Sequence, residues 1–93
     1  MFVHSLCLHL HLPSHSLKGK RGIVKSILAR ARQDFNVSTA EVDLQDVPDE
    51  SVLAFATVTA DRSPGRHLLE RLEDRIAEER PDVTIVAAEF EER

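Results

Sequence analysis

His9 and His11 stand two residues apart in an apolar stretch, with Cys7 two residues before His9 and His15 four residues after His11. In an extended strand, that spacing projects Cys7, His9 and His11 from one face. Two imidazoles on one face can begin a zinc site when a third ligand, here Cys7 or His15, approaches. No other ligand pair with metal-binding spacing accompanies them. His9 and His11 are therefore read first as polar residues on an open sheet face, and only as weak metal candidates. Cys7 beside His9 has the residue types of a nucleophile and its base. A reactive thiol needs a cation or a helix terminus to lower its pKa, and a place in mid-strand offers neither.

The run Lys18-Gly19-Lys20-Arg21-Gly22 carries a different chemistry. Helix N-termini attract anions through free N–H groups, and this run adds basic side chains to one. Its spacing is not that of a nucleotide-binding P-loop. Lys25, Arg30 and Arg32 continue the cationic series. Residues 1–33 hold six Lys or Arg and no acid, whereas residues 34–93 hold six Lys or Arg against sixteen Asp or Glu. The formal net charge of −4 thus hides a basic first third and an acidic remainder, a pattern that suits a bipolar surface. Lys18, Lys20, Arg21, Lys25, Arg30 and Arg32, flanked by His11 and Ser16, are the residues expected to contact nucleic-acid phosphates. The plain alternative is a solvated basic helix face.

Asp43, Asp46, Asp49 and Glu50 gather around a loop, where paired carboxylates can transfer protons or hold magnesium; a polar turn accounts for them equally well. Arg66/Glu70 and Arg75/Glu79 have the spacing of surface i,i+4 pairs.

Hydrophobic periodicity supplies the elements that position these residues. Phe2, Leu6, Leu8, Leu10 and Leu12 alternate with Val3, Ser5, Cys7, His9 and His11, which predicts a strand ended by Pro13. Ser16 then caps a helix whose apolar stripe is Val24, Ile27, Leu28, Ala31 and Phe35. Period two returns over 36–44, and again over 52–60 after a turn. Ser63-Pro64 opens a second helix, with Leu68, Leu69, Leu72 and Ile76 as its stripe, and Arg80-Pro81 stops it. Residues 83–90 read as the last strand and 91–93 as a solvated tail. The order β-α-β-β-α-β predicts an α+β, ferredoxin-like sandwich: four antiparallel strands with both helices on one face.

On the uncovered face this reading sets Cys7, His9, His11, Leu53 and Phe55, with Val83 and Ile85 or their neighbours. So apolar a surface implies burial against a partner, and Leu53 and Phe55 are the expected homodimer contacts. The face carries few aromatics, since the chain has four Phe and no Trp or Tyr. Base stacking of the kind used by RNA-recognition motifs is thereby disfavoured.

The 93 residues suffice for one domain, 1–93, with 42% apolar residues to form its core. A single cysteine excludes an intrachain disulfide. The stretch 2–12 lacks a preceding basic residue and a following small-residue cleavage site, so it is not read as a secretory leader. No run reaches the ~20 apolar residues of a membrane helix. A cytoplasmic protein without membrane contact is expected.

Leu10-His11-Leu12-Pro13, Ser16-Leu17-Lys18, Lys20-Arg21, Arg32, Phe35-Asn36-Val37-Ser38 and Ala40-Glu41-Val42-Asp43, with acids at Asp46 and Asp61, resemble the YlxP-like family of small bacterial domains of unknown function. The resemblance spans nearly the whole chain and is strongest over 10–46. It implies a cytoplasmic ferredoxin-like domain with no established activity or cofactor. Family genes often lie among translation and ribosome-maturation genes, which implies an RNA or ribosome association. Gly19 and Gly22 stand where the family more often has polar or charged residues, and His9 stands where an acid is common.

The expectation is therefore a nonenzymatic RNA- or ribosome-associated accessory factor with no catalytic residue, metal or cofactor. The alternative is a homodimeric protein- or small-ligand-interaction module using the open sheet face.

Overall fold

Leu6, Leu8 and Leu10 alternate with Ser5, Cys7, His9 and His11, which makes the first ten residues after Met1 a strand with one face to bury, and the rest of the chain builds around it. A computed structural model describes all residues, Met1–Arg93. Its elements run β1 (Phe2–His11), α1 (Leu17–Asp34), β2 (Ser38–Asp43), β3 (Glu50–Thr59), α2 (Arg62–Glu79) and β4 (Thr84–Glu92). The strands form one antiparallel sheet in the order β2-β3-β1-β4. Both helices cover the same face of that sheet, giving the expected ferredoxin-like α+β arrangement.

Ser16 caps α1 through its hydroxyl, which accepts from the Gly19 N–H at 3.1 Å. A cap of this kind is worth about 1 kcal/mol. Val24, Ile27 and Ala31 of α1 and Leu69, Leu72 and Ile76 of α2 drop into the layer between helices and sheet. There they meet Leu6, Leu8 and Leu10 of β1, all fully buried. The helix α2 begins after Asp61, whose side chain makes no capping bond, and it ends at Glu79, before Arg80-Pro81.

At Gly65 the backbone of α2 comes close to the sheet. A Cβ there would fall 2.0 Å from Cδ2 of His4, which is buried beneath it. The sequence reading did not single out His4 as a core residue.

The third strand corrects the expected faces. Leu53 and Phe55 are fully buried against the helices and pair in register with Leu8 and Leu6. They belong to the core and cannot form a dimer contact. Both faces of β3 are apolar, so alternation alone does not orient it. Volume does, because Leu and Phe fill the space under the helices while Val52, Ala54, Ala56 and Val58 take the open side. Val83 is likewise a core residue, and Ile85 packs against the core. Residues 91–93 are not a free tail: β4 continues to Glu92, and Arg93 exchanges backbone hydrogen bonds with Val3 at 2.7 and 2.8 Å.

Candidate nucleic-acid interface

The helix α1 has two long sides. Val24, Ile27 and Ala31 face the core, and at 100° per residue Lys18, Arg21, Lys25 and Arg32 fall within a sector of about 60° on the flank. All four are exposed, and from Lys18 to Arg32 the stripe runs about 21 Å along the helix at 1.5 Å per residue. It borders β2, because Arg32 Nη1 donates to Thr39 Oγ1 at 2.7 Å. Between helix and strand lies an open groove of about 460 Å³ whose walls include Arg21, Lys25, Leu28, Arg32, Gln45 and Asp46.

Two of the six expected phosphate contacts lie elsewhere. Lys20 is 2% exposed. Its ammonium donates to the carbonyls of Leu44 at 2.5 Å, Gln45 at 3.2 Å and Val47 at 2.8 Å, and lies 3.1 Å from Glu41 Oε2. Its charge is consumed inside the fold, where it fastens the β2–β3 loop to α1. Arg30 projects from the opposite flank and meets Glu79 of α2 at 3.0 Å. Spacing had placed both residues in one basic series, but Lys20 shares the inward phase of Val24 and Ile27.

Ion pairing distinguishes the α1 stripe from the other cations. Seven of the twelve Lys and Arg residues reach a carboxylate within 4.0 Å. The five that do not are Lys18, Arg21, Lys25, Arg32 and Arg71. On α2, Arg62 and Arg66 also lie over the rings of Phe2 and Phe90, and Arg75 over Phe35. A second cleft, of about 280 Å³ between the helices, holds Arg30, Arg75 and Arg80. Arg30 and Arg75 are bridged there to Glu79 and Asp34, and Arg80 is paired with Asp82. The expected Arg66/Glu70 and Arg75/Glu79 pairs are present at 3.7 and 3.6 Å.

His9 and His11 share the open sheet face but turn to different carboxylates. His9 Nε2 lies 2.9 Å from Glu50 Oε1, and His11 Nε2 lies 3.8 Å from Asp49 Oδ2. No three His, Cys, Asp or Glu side chains converge as a metal-holding group. Asp43 accepts from the Leu44 N–H at 2.8 Å and supports a left-handed residue there, with φ of 59°. The four loop acids therefore serve separate partners or face solvent. Burial, and then the negative charges of Glu89 and Glu91, pushes the Cys7 thiol above its ordinary pKa. This is the reverse of nucleophile activation.

No helix is long and apolar enough to cross a membrane. The family model for proteins of unknown function DUF503 matches residues 3–90. The uncharacterized protein YlxP of Bacillus subtilis (strain 168) is 37% identical over 57 residues, which cover 61% of this chain and 62% of that relative. The aligned region thus spans less than two thirds of the relative's length.

Proposed function

The chain belongs to the DUF503 family of proteins of unknown function, and we propose that it is a nonenzymatic, RNA- or ribosome-associated accessory factor that holds phosphates along α1. The observation that carries this reading is the pairing pattern: four of the five Lys and Arg residues without a carboxylate partner lie in one stripe, Lys18-Arg21-Lys25-Arg32. Helix stability does not account for Lys18 and Arg21 near the start of α1, whereas Arg32, in the last turn, suits the dipole and bonds Thr39. The first turn of α1 contains no acid, and cations near a helix N-terminus oppose its dipole. Phosphate oxygens would satisfy the same groups and displace condensed counterions.

With few aromatic side chains and no Trp or Tyr, recognition rests on the backbone and shape of structured RNA rather than on stacked bases. The acids of the remaining chain repel RNA from other surfaces and orient the encounter.

Co-sedimentation of the untagged protein with separated ribosomal subunits across a salt series tests this. Retention on one subunit, lost steeply as salt rises and abolished by combined Lys18→Glu, Arg21→Glu and Lys25→Glu, is the expected result. Absence of binding to either subunit at low salt contradicts it.

A further inference from the structure

We propose that the open face of the sheet is a self-association surface, covered by a second copy of this chain packed sheet to sheet, with the two-fold axis along the strands. Apart from Met1, the exposed large aliphatic residues are Val42 at 48%, Val58 at 58% and Val86 at 54%. All three belong to this face: Val58 pairs with Val3 on β1, and Val42 and Val86 are the residues skipped at the register shifts of β2 and β4.

Between them the surface is low and smooth. Across the middle of the sheet, the register lines up Ala40, Ala54 and Cys7 in one row and Ser38, Ala56 and Ser5 in the next. A floor of such small side chains lets another sheet approach closely. Strands of 10, 6, 10 and 9 residues, about 4.8 Å apart at 3.3 Å per residue, present roughly 550 Å² per copy, or about 1,100 Å² in a pair. That clears the roughly 1,000 Å² expected of a biological interface and is the size of a weak, reversible dimer.

Charge fixes the direction of the axis. Glu89 and Glu91 lie on the β4 edge of this face, opposite Cys7 and Ser5, while the β2 edge presents Ser38, Ala40 and Val42, with Asp43 at its end opposite Val52. An axis across the strands would stack the β4 carboxylates of the two copies on one another. An axis along the strands lays Glu89 and Glu91 over the uncharged Ser38 and Ala40 side of the partner's β2 edge. That arrangement keeps the β4 carboxylates of the two copies apart, and the axis passes between β1 and β3, beside Cys7.

The test combines sedimentation with cross-linking through the single cysteine. The full chain should sediment as a dimer at tens of micromolar, and a short bis-maleimide should trap Cys7-linked dimers. Ala54→Glu and Val58→Glu should each raise the dimer dissociation constant at least a hundredfold while leaving the far-UV circular dichroism unchanged. A wild-type chain that stays monomeric up to about a millimolar overturns the proposal and leaves the face to a different partner. So does a dimer that survives both substitutions or resists the cross-linker. RNA binding by α1 is read out separately, so failure of one proposal leaves the other standing.

Discussion

The ammonium of Lys20 lies 3.1 Å from the carboxylate of Glu41, and the lysine side chain is 2% exposed. Glu41 also accepts from the Ser51 hydroxyl at 2.5 Å, so this one carboxylate ties α1, β2 and β3 together. Three carbonyls of the 44–47 segment complete the lysine's surroundings. A cation in this position does not bind ligands; it shapes the loop that forms one end of the groove beside the basic stripe.

Removing that ammonium leaves the carbonyls and Glu41 without their donor. Lys20→Met is expected to cost about 3–5 kcal/mol, and Glu41→Gln, which keeps the shape, about 2 kcal/mol. Urea unfolding measures both. A Lys20→Met loss below about 1 kcal/mol would show that the buried ammonium contributes little net stability.

The two faces of β3 should respond differently to substitution. Phe55→Ala in the core is expected to lose about 3–5 kcal/mol. Val58→Ser on the open face of the monomer should cost less than about 1 kcal/mol. Unfolding at concentrations low enough to keep the chain monomeric makes the comparison, and equal losses would reverse the face assignment.

Gly65 and His4 should be coupled. Gly65→Ala forces a methyl onto the imidazole and is expected to cost about 1–3 kcal/mol. In a His4→Ala background the same change should be neutral or stabilising, because alanine is the better helix former by about 1 kcal/mol. A double-mutant cycle measures the difference, and strict additivity would mean the two sites do not touch.

Cys7 gives a pH signature. Its folded-state pKa is raised by burial and then by Glu89 and Glu91, so the folded chain holds the thiol proton more tightly than the unfolded chain. The associated stability is fully present below the unfolded thiol's pKa and is lost as pH climbs through and beyond it. Cys7→Ser should flatten this alkaline loss, and Glu89→Gln should speed iodoacetamide alkylation near pH 8. An alkylation rate matching that of a free thiol would contradict the assignment.

Legibility in the sequence followed how far each pattern was one-sided. The alternation of β1 and the stripe of α1 each have one clearly apolar side, and both were readable from spacing. Ser16 was readable as a cap because its chemistry is local. The face of β3 was not, since Leu53 and Phe55 alternate with valines and alanines; residue volume was the signal to weigh. Lys20 was hidden by its type: a lysine in a basic run reads as surface, and only its inward phase with Val24 and Ile27 indicated otherwise. The basic series was visible as composition, but its division into a free stripe and paired cations depends on Glu41 and Glu79. Those carboxylates come from elements distant in sequence.

The central claim is that Lys18, Arg21 and Lys25 hold phosphates, and fluorescence anisotropy with a labelled ribosomal-RNA hairpin tests it most directly. Binding is measured across a salt series for the wild type and for the chain carrying Lys18→Ala, Arg21→Ala and Lys25→Ala. With roughly 0.7–0.9 of slope in log K against log salt per phosphate contact, the triple variant should bind more weakly, with a slope shallower by about 2–3. A slope and affinity equal to the wild type's would contradict the assignment of α1 as the nucleic-acid interface.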